Sequence, residues 1–135
     1  MPKTQLNVTL LSHTPDPVTA IALAGRLCYS GSGILSLRED VRGRAPQFVE
    51  KLLSFGHLSP FEHASFTFGV EGVSRALLAQ ITRHRIASFS VQSQRYVKQE
   101  GGNYVVPPSV AALGDAAVAR FQEQMDTAWG FYQEW

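Results

Sequence analysis

A strand in the middle of the chain most limits the fold that this sequence can adopt. Between Phe66 and Val70 large apolar residues alternate with small or polar ones, which is the period of a strand with one apolar face. A looser alternation from Leu6 to Leu11 predicts a second strand. Helical spacing covers residues 18–28, 45–55, 74–82 and about 111–135. Because these elements form no regular βαβ units, the sequence predicts an α/β fold of the α+β type, with a mixed or antiparallel sheet packed by helices.

Local signals place the ends of several elements. Asp16 followed by proline predicts the start of the first helix, and Gly56 predicts the end of the second helical segment. We expect Phe66 and Phe68 in the core. We expect one face of the second helical segment to carry its apolar side chains: Phe48, Val49, Leu52 and Leu53.

Length and composition favour one folded domain, residues 1–135. The chain is 44% hydrophobic and 17% charged, which is ordinary for a globular protein. Its apolar stretches are shorter than a membrane span, its N-terminus lacks the pattern of a secretory signal, and one cysteine cannot form an intrachain disulfide. We therefore expect a cytoplasmic protein without membrane contact. Because the sequence stops at Trp135 inside an uncapped amphipathic pattern, we also expect that a C-terminal part is missing.

Basic residues are concentrated in one part of the chain. From Arg75 to Lys98 there are five Arg and Lys residues and no Asp or Glu. Guanidinium groups bind phosphate in a fixed bidentate geometry, so the segment favours an anionic ligand. A solvated basic face is about as common. A third interpretation is a nucleic-acid-binding module in which Phe89 and Tyr96 stack on bases.

The most informative residues lie within this basic segment. Arg83, His84 and Arg85 follow a helical pattern, and Ser93 and Arg95 lie on what we predict to be an extended stretch. Side chains of residues 92–95 offer amide, hydroxyl and guanidinium groups that suit the phosphate and sugar of a nucleotide. Gln80, near the end of the preceding helix, is positioned to face the same site.

Other reactive residue types have plainer interpretations. The four histidines and Cys28 have no metal-ligand spacing, so we expect no metal. Cys28 between Leu27 and Tyr29 is more typical of a small buried thiol than of a nucleophile. Taken without any motif, Glu62 and His63 form a surface pair as readily as a functional one.

Two blocks of this sequence resemble a known family. Arg83-His84-Arg85, then Ser93 and Arg95-Tyr96 after a fixed interval, is similar to the signature of flavin-dependent thymidylate synthases. The stretch from Gly56 to His63 followed by Phe66-Thr67-Phe68 is similar to a second block of that family, and residues 26–30 agree as well. The blocks occur in family order and cover most of the chain. The chain therefore resembles the N-terminal portion of a flavin-dependent thymidylate synthase.

The resemblance implies roles for individual residues. The positions that match FAD contacts are Ser30, Ser59, Arg83, His84, Arg85 and Val91. Those that match dUMP contacts are Gln80, Arg83, Gln92, Ser93, Gln94 and Arg95. The residues that the resemblance implies for catalysis are Arg83, Arg95, Glu62 and His57. Glu62 and His57 would line the flavin and folate side of the pocket. Many relatives carry an acidic residue at the position of Val91, so only a backbone contact is implied there.

The resemblance also implies a reaction and an assembly. dUMP would be methylated to dTMP, with 5,10-methylenetetrahydrofolate as carbon donor and NADPH as the reductant of FAD. The family forms homotetramers whose active sites gather residues from several subunits, with no nucleic acid as partner. A family member acting on a different pyrimidine nucleotide is an alternative, and so is a regulatory fragment that binds flavin without turnover.

Overall fold

The computed structural model describes residues 2–135 and contains both strands and helices. The strands are β1 (Asn7–His13) and β2 (Phe66–Glu71). The helices are α1 (Pro17–Leu27), α2 (Ile34–Val41), α3 (Ala45–Ser54), α4 (Arg75–Ile81), α5 (Pro108–Ala111) and α6 (Asp115–Glu134), with a 3₁₀ helix at Ser59–His63. Within the described range, no helix is both long and apolar enough to cross a bilayer.

The two strands pair in an antiparallel sheet, as the sequence predicts. The Thr14 N–H donates to the Ser65 carbonyl at 2.9 Å, and the Asn7 amide donates to the Glu71 carboxylate at 3.1 Å, so the strands run in opposite directions. The predicted core position of Phe66 is wrong, however, because it is 50% exposed, and Phe68 is 54% exposed. Alternation correctly identified the strand, but burial depends on what covers the sheet.

Contacts divide the chain into two compact units, named here for their place in the sequence. The central unit is Thr9–Gly69, and the terminal unit joins the residues up to Val8 with Val70–Trp135. The prediction of a single domain stays a prediction.

The core of the central unit lies between α1, α2 and α3. Ala22, Val41 and Ala45 are buried there, and Phe48 and Val49 pack against them. Gly25 of α1 is so close to α3 that an added Cβ would lie 2.6 Å from Leu52 Cδ1. Small residues on α1 therefore allow the helices to approach closely. The apolar face predicted for α3 is wrong at Leu53, which is 52% exposed.

Helix caps in the central unit follow the local sequence signals. The Asp16 carboxylate accepts a hydrogen bond from the Thr19 N–H at 3.3 Å, and Pro17 occupies the first turn. Gly56 follows α3 with a φ of 67°, a conformation that glycine adopts without a steric penalty. The sequence analysis did not predict α2, although Leu37 and Val41, four residues apart, are both buried.

The terminal unit is built around α6. Tyr104 is buried, forms a parallel bridge with Lys3, and lies 6.1 Å from the Phe121 ring of α6. The long C-terminal helix predicted from about residue 111 instead begins at Asp115, because its N-cap residue Gly114 adopts a φ of 92° that separates it from the short α5.

Candidate functional site

The basic segment begins with α4, whose first residue is Arg75. The Ser74 hydroxyl caps this helix by accepting a hydrogen bond from the Leu77 N–H at 3.1 Å. At the other end, the Arg83 N–H donates to the Gln80 carbonyl at 3.2 Å and the His84 N–H to the Ile81 carbonyl at 3.1 Å. These turns continue the helix and place Gln80, Arg83 and His84 next to one another, all exposed.

Three arginines of this segment are available to a ligand. Arg83, Arg85 and Arg95 are exposed, and within residues 2–135 their guanidinium groups have no intrachain hydrogen bond or ion pair. The nearest acidic residues in sequence are Glu71 and Glu100, outside the segment. Three exposed positive groups on one short segment favour an anion.

Residues 92–97 form a turn rather than the extended stretch predicted for Ser93 and Arg95. The Tyr96 and Val97 N–H groups both donate to the Ser93 carbonyl, at 3.3 and 3.0 Å, and the Arg95 N–H donates to the Ser93 hydroxyl oxygen at 3.2 Å. Arg95 Cζ lies 5.9 Å from the centre of the Tyr96 ring. Serine hydroxyls favour such local bonds to the backbone, which explains the turn.

Val91, just before the turn, and Gln94, within it, both have exposed side chains. The aliphatic side chain of Val91 has no hydrogen-bonding group. The side-chain carbonyl of Gln92 accepts a long contact from the Gln99 amide at 3.5 Å.

In the central unit, His57 has a specific partner. The Tyr29 hydroxyl lies 2.9 Å from His57 Nδ1, and the rings meet edge to face with centroids 5.7 Å apart. Next to Tyr29, the Ser30 hydroxyl accepts a hydrogen bond from the Ser32 N–H at 3.1 Å. The sequence analysis named Tyr29 only as part of a matched block, because nothing in the sequence pairs it with a residue 28 positions away.

The 3₁₀ helix carries the two remaining predicted residues. Ser59 is its first residue, Glu62 lies within its turn, and both are exposed while Pro60 between them is buried. The buried proline anchors the turn and leaves the hydroxyl and the carboxylate on its surface.

Cys28 forms a local hydrogen bond but is not buried. The expectation of a buried thiol is wrong, since Cys28 is exposed and its Sγ donates to the Ala24 carbonyl at 3.5 Å. No group of three or more His, Cys, Asp or Glu residues able to hold a metal ion occurs in the described part of the chain.

An open groove of about 640 Å³ lies elsewhere in the central unit. It is lined by Leu35, Ser36, Arg38, Glu39 and Arg42, none of which belongs to the predicted site.

Exposed arginines on a segment without acidic residues suit a phosphate-bearing ligand, because each guanidinium can bind two phosphate oxygens. The chain belongs to the family described as Thymidylate synthase complementing protein, whose model matches residues 9–135. The family resemblance drawn from the two sequence blocks is thereby confirmed.

Curated relatives agree with this membership. The chain is 54% identical over 110 residues to the flavin-dependent thymidylate synthase of Geobacter sulfurreducens, covering 79% of this chain and 47% of that protein. It is 44% identical over 140 aligned residues to the flavin-dependent thymidylate synthase of Nitratidesulfovibrio vulgaris, and the match covers 99% of this chain and 57% of that protein. It is 48% identical over 106 residues to the flavin-dependent thymidylate synthase of Clostridium tetani, and the match covers 78% of this chain and 43% of that protein. The chain thus spans about half the length of the curated relatives it matches.

A solved structure supports the fold. The chain resembles the UMP/dUMP methylase PolB from Streptomyces cacaoi bound with 5-Br dUMP, with a TM-score of 0.79 and 22% identity. The match covers 99% of this chain and 63% of that one. The predicted α+β fold is confirmed.

Proposed function

We propose that the protein carrying this chain methylates dUMP to dTMP, with 5,10-methylenetetrahydrofolate as carbon donor and NADPH-reduced FAD as hydride source. One observation carries the proposal: the guanidinium groups of Arg83, Arg85 and Arg95 are exposed and form no hydrogen bond or ion pair within the described residues, in a chain of the matched family. The names of the relatives support the flavin-dependent reaction.

The donor set fits both phosphate-bearing ligands. Each guanidinium offers a planar fork of N–H donors that matches two phosphate oxygens. A nucleotide monophosphate and the diphosphate of FAD together carry more negative charge than one arginine neutralises. Three arginines on one segment therefore suit this pair of ligands.

The turn at 92–97 suits the dUMP side of the site. Because the Ser93 hydroxyl oxygen accepts from the Arg95 N–H, its own proton remains free to donate to a phosphate or sugar oxygen. Arg95 would bind the phosphate, and Gln92, Ser93 and Gln94 would hold the sugar and base with Gln80.

The FAD side would use residues of both blocks. Ser30, Ser59, Arg83, His84 and Arg85 would hold the cofactor, with Val91 adding a backbone contact. FAD, when bound, supplies the redox chemistry. His57 and Glu62 would border the flavin and folate, where the Tyr29 hydroxyl fixes the orientation of the imidazole and the buried Pro60 fixes the turn that carries the carboxylate.

We extend the proposal to a homotetramer. Apolar side chains on both strands, including Val8, Leu10, Phe66 and Phe68, are about half exposed, and a two-stranded sheet on its own is marginally stable. Burial of this surface against other subunits would remove it from water. Sedimentation of the purified protein should give a tetramer, and a monomer at all concentrations would contradict this extension.

A second nucleotide is worth comparing because the solved structural neighbour is named a UMP/dUMP methylase. UMP differs from dUMP by the 2′-hydroxyl alone. We expect dUMP to bind more tightly than UMP. Equal affinities for the two nucleotides would favour UMP as a second substrate.

Isothermal titration calorimetry with dUMP tests the proposal. We expect binding by the unmodified chain, loss of detectable heat in Arg95→Ala, and little change in Arg44→Ala, which removes an exposed arginine of the central unit. A nucleic-acid module would give no dUMP heat and would bind single strands with an affinity that falls steeply as salt rises. That pattern would overturn the proposal.

A further inference from the structure

The turn proposed to hold dUMP is fixed in place by residues outside the matched motif. Arg75, at the start of α4, donates from Nη2 to the Gln92 carbonyl at 3.2 Å. This bond joins two residues that are 17 positions apart. It connects the first turn of α4 to Gln92, where the residues proposed to hold dUMP begin. Arg75, although a cation of the basic segment, therefore has a structural role.

A second tie holds the other end of the segment. The Gln99 N–H donates to the Tyr132 hydroxyl of α6 at 3.3 Å, and the Gln99 side chain contacts that of Gln92. Gln99 is partly buried, whereas Gln92, Gln94 and Arg95 between the ties are exposed. The segment is therefore anchored at both ends and open in the middle.

Packing on α6 supports the second tie. The Tyr132 ring stacks on Trp129 with centroids 4.9 Å apart and an interplanar angle of 25°. Gly102 is buried with a φ of 57°, and a Cβ there would lie 2.5 Å from Trp129 Cδ2. The chain after Gln99 thus lies directly against the ring that orients Tyr132.

We propose that Arg75 and Tyr132 are positioning residues that hold residues 92–99 in the conformation that binds dUMP. This inference rests on the proposed function. Neither residue needs to touch the nucleotide, because each acts through a hydrogen bond to the segment that does. Preorganisation of this kind raises affinity by removing the cost of ordering a loop on binding.

The test compares dUMP and FAD affinities in three variants of the two positioning residues and in two control variants. Arg75→Ala should weaken dUMP binding roughly tenfold and Tyr132→Phe roughly threefold, given the usual worth of charged and neutral hydrogen bonds. Arg75→Lys, which keeps a cationic donor, should restore part of the loss. Arg120→Ala and Thr127→Val, which remove a charge and a hydroxyl from α6, are the controls and should leave affinity unchanged.

A second measurement separates positioning from general damage. Hydrogen exchange of the Gln99 amide should become faster in Tyr132→Phe, while FAD affinity stays within about twofold of the unmodified chain. Parallel loss of FAD and dUMP affinity would show mere destabilisation and overturn the inference. Unchanged dUMP affinity despite faster exchange at Gln99 would overturn it as well and leave the proposed function intact. If the unmodified chain binds no dUMP, the proposed function itself fails, and the inference falls with it.

Discussion

The Tyr29 hydroxyl lies 2.9 Å from Nδ1 of His57, and its ring meets the imidazole edge to face. A hydrogen bond at Nδ1 selects one tautomer of the ring, with the Nδ1 proton absent where the tyrosine donates and present where it accepts. The pair joins the loop after α1 to the loop after α3, so the fold determines which ring nitrogen of His57 takes part in this bond.

Replacing Tyr29 with Phe should release this histidine without unfolding the protein. We expect the ¹⁵N chemical shifts of His57 to move from a single tautomer toward a mixture, with a stability loss of about 1 kcal/mol or less for one exposed neutral hydrogen bond. Tyr96→Phe, which removes an exposed hydroxyl elsewhere, should leave the His57 spectrum unchanged. Identical His57 shifts in Tyr29→Phe and the unmodified protein would show that the hydrogen bond is not formed in solution.

Two helical glycines should respond oppositely to alanine. Gly25 is buried in α1 with Leu52 Cδ1 2.6 Å from the site of a Cβ, whereas nothing lies within 4 Å of such an atom at Gly130 in α6. Gly25→Ala should destabilise by about 1–3 kcal/mol through overpacking. Gly130→Ala should stabilise by about 0.5–1 kcal/mol, because alanine restricts the unfolded chain. Urea unfolding measures both, and equal effects would contradict the packing of α1 on α3.

Arg83 and Arg75 should differ in their effect on flavin. Arg83 lies in the matched motif with its guanidinium free of intrachain partners in the described residues, while Arg75 is occupied by the Gln92 carbonyl. Arg83→Ala should weaken FAD binding by roughly 1.5–3 kcal/mol, and Arg75→Ala should change it far less. Quenching of flavin fluorescence during titration gives both constants. Equal losses would remove the assignment of Arg83 to FAD.

Cys28 should be dispensable. Its Sγ donates to the Ala24 carbonyl of the preceding helix α1, and a serine hydroxyl can form the same bond. Cys28→Ser should change stability by no more than about 0.5 kcal/mol, as is usual for exposed positions. In the protein that carries this chain it should leave dTMP formation in place, as a flavin-based hydride transfer requires no thiol nucleophile. Complete loss of product with normal folding and FAD content would contradict that mechanism.

Sequence reasoning located the elements whose signals are local. Asp16 and Pro17 are adjacent to the helix they start, and Gly56 adopts the positive φ that its position required, so neighbouring residues contain the information. Helix α2 was missed because it is only eight residues long and half of it is polar or charged. A pattern of two buried residues is a weak signal against that background.

Side-chain burial and contacts between residues far apart in the sequence could not be predicted from local patterns. The alternation of Phe66 and Phe68 shows a strand with an apolar face, but not which element covers it. The bond from Arg75 to Gln92 and the pairing of Tyr29 with His57 join residues that only the folded chain brings together. The site assignments, the cytoplasmic location and the tetramer stay predictions, as they rest on the resemblance and on composition.

The absorption spectrum of the purified protein shows whether it holds FAD through Arg83. After incubation with FAD and removal of unbound cofactor, we expect a retained flavin band in the blue, which Arg83→Ala should largely abolish and Arg44→Ala should preserve. Addition of dUMP should then perturb that band, because the residues proposed for the two ligands share the segment around Arg83. A colourless protein, or a flavin band that neither dUMP nor Arg83→Ala alters, would contradict the account.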